Sequence, residues 1–404
     1  MQILIVDDHA FQRRALTSVI TQIGAHKITQ ASDGDEAMRI MLSTTPDIII
    51  CDLIMPKMDG LALLRRLSEQ QYKGSIIISS ASNASILRAA ANLVGALGLN
   101  LLAVIAKPFS KIQLSHFFKQ HQSHYIKVKT KDPLHRIDTT KASLLHAINK
   151  GEFISVFQPQ IDFNSGQCVG LEVLSRWDHP ESGLLSPDFF IEQIEQAGLM
   201  TTLTFAMIEQ SIQALKTLPR AFDQTKLSIN LTPSFLTNDA VNIILANQSL
   251  LALAHRQRVT FEITEQTKIL SESISLELLS RLRINGFNLS IDDFGTGYSS
   301  LKQLSQYPFN EIKIDRSFVA DALIDIQSAA IVDMSIQLAK KLQMSVVVEG
   351  VETHEQWVYM KRLGAHTCQG FYCAKPMKYQ QLDSWYVLWQ TQYQAIQAKI
   401  KQAL

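Results

Sequence analysis

Ile291-Asp292-Asp293-Phe294-Gly295-Thr296-Gly297-Tyr298-Ser299-Ser300 is the stretch whose reading decides the fold of the larger, C-terminal part of this chain. A strand-like apolar run, Phe287 to Ile291, ends there in two adjacent carboxylates and then breaks at two glycines. Alternation along a strand sends consecutive side chains to opposite faces. One aspartate is therefore expected at the mouth of a barrel and the other beside it. Taken alone, the stretch equally suits a capped turn, for which aspartate is well fitted. The surrounding chain separates the two readings.

From Phe153 onward, β-rich runs recur with helix-length stretches between them: Phe153–Phe157, Cys168–Leu174, Leu227–Leu231, Val259–Ile263, Phe287–Ile291, Glu311–Ile314, Ser345–Val348 and His366–Phe371. This alternation in about 250 residues predicts a TIM-like (β/α)8 barrel rather than an open sheet. At or near the ends of the runs stand Gln158, Glu172, Asn230, Glu262, Asp292 with Asp293, Lys313 with Asp315, Glu349 and Gln369. In a barrel such ends converge on one face, where catalytic residues come from several strands. With Glu352, seven acids gather there against the cations Arg176 and Lys313. Two like charges about 4 Å apart repel by about 4 kcal/mol at an effective dielectric near 20. The cluster calls for bound cations, and oxygen donors without His or Cys select Mg²⁺ or Mn²⁺ over zinc. Two cations sharing a carboxylate suit in-line displacement at phosphorus.

The first 122 residues read differently. Runs at Ile3–Val6, Lys27–Gln30, Ile48–Cys51, Ser75–Ser79 and Leu101–Ala106 alternate with amphipathic segments, such as Asp59 to Gln71 with Leu61, Leu64 and Leu67 on one face. The pattern predicts an α/β, doubly wound, flavodoxin-like domain with a parallel sheet. Open α/β sheets place their sites at the carboxyl ends of strands. Asp7 and Asp8 end the first run, Asp52 the third, Ser80 the fourth and Lys107-Pro108 the fifth. Three carboxylates suit Mg²⁺, with a hydroxyl and a lysine opposite to grip phosphoryl oxygens. A closing helix is expected over 110–122, followed by a polar, basic linker at 123–136 and a second domain at 137–404. His121, His124 and His135 are read as solvated linker histidines.

These motifs identify two families by resemblance. The first domain resembles the receiver domain of two-component response regulators. That resemblance makes Asp52 the phosphorylated residue, with Asp7 and Asp8 on Mg²⁺ and Ser80 and Lys107 responding to the phosphoryl group. It also implies a sensor histidine kinase or phosphotransfer protein as partner. Val104 stands where the family commonly carries a switch aromatic. The second domain is similar to the EAL-domain phosphodiesterases, which hydrolyse cyclic di-GMP to linear pGpG. The matching blocks are Glu172-Val173-Leu174-Ser175-Arg176, Gln158-Pro159, Ile229-Asn230-Leu231, Glu262-Ile263-Thr264-Glu265, Asp292-Asp293-Phe294-Gly295, Lys313-Ile314-Asp315, Glu349-Gly350-Val351-Glu352 and Gln369-Gly370-Phe371. The Val173 in place of alanine is a small apolar change. The resemblance implies Glu172, Asn230, Glu262 and Asp292 on one metal and Asp292, Asp293 and Glu349 on a second. It implies Lys313 orienting water, Asp315 supporting it, and Glu349 as ligand or general base. Gln158, Leu174, Arg176, Glu352 and Gln369 would contact substrate, and Glu265 would brace the loop after Asp293. Pairing of barrels into a dimer or tetramer is also implied.

A formal net charge of +1 gives no electrostatic case for nucleic acid or an anionic membrane. No apolar run has the length of a membrane span, the start has no signal-peptide pattern, and no DNA-binding or cyclase block is visible. Four cysteines without metal or paired spacing fit a reducing cytoplasm. Two other functions compete with hydrolysis: a catalytically silent cyclic dinucleotide receptor and a phosphorylation-controlled interaction scaffold. Retention of every metal-ligand position argues against the silent receptor.

Overall fold

The computed structural model describes residues 1–24, 26–80, 84–107, 110–111, 113–115, 117–118, 121, 137–264, 272–296 and 300–402. The chain divides into two compact units, Met1–Arg136 and Ile137–Leu404. The linker expected over 123–136 lies outside the described residues.

In the first unit, β1 (Gln2–Val6), β2 (Lys27–Ala31), β3 (Ile48–Asp52), β4 (Ser75–Ser80) and β5 (Asn100–Ala106) form a parallel sheet ordered β2-β1-β3-β4-β5. The two-residue period of the strands produces two cores. Leu4, Val6, Ile49, Cys51, Ile76 and Ile78 pack on one face, and Ile3, Ile5, Ile48, Ile50, Ile77 and Ile105 on the other. Both faces are apolar, so helices must cover both, as expected for a doubly wound fold.

Two local expectations change. The helix Gly60–Glu69, capped by Asp59, buries Leu63, Leu64 and Leu67, while Leu61 is exposed. Its core-facing stripe follows the 60, 63, 64, 67 spacing of a helix, which leaves Leu61 outside it. His121 is not solvated either. It is buried with Nδ1 2.9 Å from Ser75 Oγ, while Leu114 and Phe118 of the same segment enter the core.

In the second unit, β6 (Phe153–Asp162), β7 (Cys168–His179), β9 (Lys226–Leu231), β10 (Val259–Thr264), β11 (Asn288–Phe294), β12 (Glu311–Ile314), β13 (Ser345–Val348) and β14 (Thr367–Cys368) close into an eight-stranded barrel. A short β8 (Gly183–Leu185) extends β7 as a hairpin. Pairing of β6 with both β7 and β14 completes the ring, and both pairings are antiparallel. Gln158 therefore does not end a parallel strand. It sits midway along a ten-residue strand that runs against the others, directly opposite Glu172.

Apolar side chains seal the strands from the surrounding helices. Phe261, Phe287, Leu289, Ile291, Ile312, Ile314, Val346 and Val348 are all buried. The C-terminal helix Leu382–Gln402 packs through Trp389, whose Nε1 donates to the Gly166 carbonyl. All four cysteines are buried and free. His366 Nδ1 accepts from the Val346 amide, and His179 Nδ1 from the amides of Glu181 and Ser182, so both histidines hold backbone.

Packing at the end of β14 leaves no room for a side chain at Gly370. A Cβ there would stand 2.1 Å from the Val351 carbonyl oxygen and 2.4 Å from its amide nitrogen. Gly370→Ala is expected to destabilise the protein by about 1–3 kcal/mol, the usual range for overpacking. Urea unfolding measures this, and an unchanged midpoint would contradict the packing.

Candidate active site

The two aspartates of β11 are placed by a bulge. Ile291 pairs with Ile312 and Phe294 with Ile314, so Asp292 and Asp293 together stand opposite the single residue Lys313. Asp293 adopts the left-handed conformation, φ 54°, which aspartate tolerates better than most residues. The bulge cancels the strict alternation expected from the sequence. Oxygens of Asp292, Asp293 and Glu349 all lie within 4.8 Å of one another. One aspartate does not stay beside the mouth; both face it. Gly295, at φ +98°, turns the chain immediately afterwards.

Beneath this trio lies Lys313, fully buried. Its Nζ is 2.6 Å from Glu262, 2.8 Å from Glu349, 3.1 Å from Asp292 and 3.6 Å from Glu172. Asn230 Nδ2 donates to Glu172 Oε1 at 2.9 Å, and Gln369 Nε2 donates to Glu172 Oε2 and, at 3.3 Å, to Gln158 Oε1. Asp315 caps the helix Arg316–Asp321, accepting from the Ser317 amide at 3.0 Å. Glu265 lies outside the described residues.

The cluster sets its own protonation. Burial alone would lower the Lys313 pKa, but the surrounding carboxylates outweigh it and hold the ammonium well above its ordinary value. Burial likewise works to raise Glu172, yet Lys313 and the bonds from Gln369 and Asn230 prevail and lower it. Glu262 makes the shortest bond to Lys313 and is still pushed up, because burial and the Glu172 and Asp292 charges dominate. Glu349 is raised to about 8, by burial first and then by Asp292 and Glu172. Asp293 is raised to about 6 by burial and by the neighbouring Asp292 and Asp315.

The donor set fits divalent cations. It is all oxygen, several carboxylates on different strands converge, and Glu262 Oε1 is buried without a hydrogen-bond partner. Asp292 Oδ1 lies within ion-pair range of Lys313 but out of line for a hydrogen bond. Above the cluster opens a cavity of about 510 Å³. Gln158, Glu172, Leu174, Asp293, Asp315, Glu349, Glu352 and Gln369 line it, as do Thr296, Arg316, Gly350, Gly370 and Phe371. Arg176 is absent from this lining; its Nη1 donates to the carbonyl of Ser175 at 2.8 Å. Arg316 was not singled out from the sequence, although it directly follows the strand-end Lys313-Ile314-Asp315.

In the first unit Asp7, Asp8 and Asp52 form a second trio within the same distance. Lys107 Nζ bonds Asp52 at 2.5 Å and Asp7 at 2.8 Å. Burial works to lower the Lys107 pKa, but these two carboxylates raise it. Ser80 ends β4 and is buried. Val104 is half-buried against the first core.

Comparison with known proteins gives two family matches: an EAL domain over residues 141–376 and a response regulator receiver domain over residues 3–119. The chain is 35% identical over 384 residues to the cyclic di-GMP phosphodiesterase RocR of Pseudomonas aeruginosa, covering 93% of this chain and 96% of RocR. It is 32% identical over 240 residues to the bifunctional diguanylate cyclase/cyclic di-GMP phosphodiesterase MucR of the same species, covering 59% of this chain and 35% of MucR. The solved MucR phosphodiesterase in complex with c-di-GMP matches with a TM-score of 0.53 and 33% identity, over 60% of this chain and 98% of that one.

The raised carboxylates predict a pH-dependent metal affinity. Below about 8 Glu349 holds a proton in the metal-free site, and below about 6 so does Asp293. A cation must displace those protons, so Mg²⁺ or Mn²⁺ should bind more tightly as pH rises from 6 to 8, with proton release. Calorimetry in buffers of different ionisation enthalpy reads both effects; pH-independent binding without proton release would contradict the assignment.

Proposed function

This chain belongs to the EAL-domain family, with a response regulator receiver domain ahead of that domain, and on that basis we propose that it is a cyclic di-GMP phosphodiesterase under receiver control. The observation that carries the reading is the convergence of Asp292, Asp293 and Glu349 above a buried Lys313–carboxylate cluster, at the floor of a polar cavity. A catalytically silent receptor would not need so costly a charge cluster.

Glu172, Asn230, Glu262 and Asp292 would hold one divalent cation and Asp292, Asp293 and Glu349 a second, with Asp292 shared. Bound cations of this kind polarise phosphoryl oxygens and lower the pKa of water. The chain's own residues supply the rest. Lys313 fixes the carboxylates and orients the attacking water, and Asp315 restrains the turn beside Asp293. Gln369 and Gln158 hold Glu172 in place, while Leu174 and Glu352 flank the substrate. The product of a single cleavage is linear pGpG. In the receiver, a phosphoryl group on Asp52 would replace that residue's free carboxylate, compete with Asp7 for Lys107, and draw on Mg²⁺ at Asp7 and Asp8. Val104 has no ring to rotate, so the signal leaves through another rearrangement. A histidine kinase or phosphotransfer protein would donate the phosphoryl group, and a dimer of barrels is the expected assembly.

With Mg²⁺ or Mn²⁺, the wild-type chain should convert cyclic di-GMP to pGpG. Glu172→Gln and Asp292→Asn should each lower kcat by about a thousandfold, the scale of several kcal/mol of lost charge stabilisation, with unfolding midpoints retained. Near-normal turnover in either variant would remove the two-metal assignment. A small-molecule phosphodonor should change wild-type turnover and leave Asp52→Asn unaffected. An equal response in both would remove Asp52 from the control of the enzyme.

A further inference from the structure

A cyclic dinucleotide carries two phosphodiesters, and cations held by these carboxylates would serve only the one being cleaved. The other phosphate enters a cavity lined by Glu172, Asp293, Asp315, Glu349 and Glu352, and repulsion there has to be offset. Among the described residues that line the cavity, Arg316 is the one cationic side chain. Its side chain is exposed, and no described residue forms an ion pair or hydrogen bond with its guanidinium. A cation left unpaired beside five carboxylates has its charge available to a ligand.

The position of its stem is fixed. Gly350, at φ +70°, lets the turn after Glu349 lie directly on Arg316; a Cβ on that glycine would meet Arg316 Cβ at 2.4 Å and Cα at 3.1 Å. Asp315, one residue earlier, caps the helix that Arg316 begins. The base of the side chain is thus tied to the metal-site turn on one side and to β12 on the other, and only the head is free. A planar guanidinium bonds two phosphoryl oxygens at once, which an ammonium cannot do. Arg176, the residue the motif points to, already spends a donor on the Ser175 carbonyl.

We propose that Arg316 holds the phosphate that is not being cleaved, and so sets affinity for a two-phosphate substrate rather than the rate of bond breaking. This rests on the cyclic dinucleotide reading above. The test is steady-state kinetics of the full chain with Mg²⁺ on two substrates: cyclic di-GMP and bis(p-nitrophenyl) phosphate, a diester with a single phosphate. Arg316→Ala should raise KM for cyclic di-GMP by about 10- to 100-fold, as expected for a lost charge-assisted bond, with kcat within about twofold. The penalty should be several-fold smaller for the single-phosphate diester, and Arg316→Lys should fall between wild type and Arg316→Ala. An equal penalty on both substrates, an unchanged KM, or a fall in kcat with KM retained would overturn the assignment. If the wild-type chain cleaves only the single-phosphate diester, the cyclic dinucleotide reading fails instead.

Discussion

One buried ammonium, Lys313, holds the centre of the barrel together. Its four carboxylate neighbours stand on or just beyond four different strands: Glu172 on β7, Glu262 on β10, Asp292 on β11 and Glu349 after β13. Lys313 itself is on β12, so one charge cluster ties five staves of the ring at a single level. Burying a lone ammonium or carboxylate is costly, and the arrangement is tolerable only because each group compensates another. The compensation is incomplete, with one positive charge against four acids. Burial first, and then this imbalance, pushes Glu262 and Glu349 up, and the residual negative charge makes the site suited to divalent cations.

The receiver unit repeats this logic on a smaller scale. Lys107 reaches back from the end of β5 to Asp52 and Asp7, again a lysine holding carboxylates at the carboxyl edge of a parallel sheet. The difference is exposure. Asp8 is exposed while Asp7 and Asp52 are buried, so the edge is open to a donor on one side. The EAL-type site buries its lysine entirely and presents Glu172, Asp293, Asp315, Glu349 and Glu352 to the cavity. One arrangement suits a group that must be added and removed, the other a fixed set of cation ligands.

Much of both sites is legible in the sequence. In the receiver unit, Asp7, Asp52, Ser80 and Lys107 fall at strand ends because apolar β-rich runs are interrupted there by polar residues, and parallel strands bring those ends to one edge. Residues placed by helix phase or by irregular backbone were less legible. Leu63 joins the core in place of Leu61 because the buried stripe runs 60, 63, 64, 67, and at about 100° per residue Leu61 falls on the flank of the helix. His121 looks like linker composition, yet its ring reaches Ser75.

The sequence by itself determined the two-domain α/β organisation, the strand-end chemistry and the acidic character of the site, because these follow from hydrophobic periodicity and residue type. Only the tertiary structure decided how those residues meet. Antiparallel pairing of β6 puts Gln158 mid-strand against Glu172. A bulge turns Asp293 back beside Asp292, against the alternation a regular strand imposes. Lys313 is seen at the focus of four carboxylates, and Arg316 rather than Arg176 lines the cavity. Each of these depends on register, strand direction or backbone torsion, which are set by contacts between segments far apart in the chain.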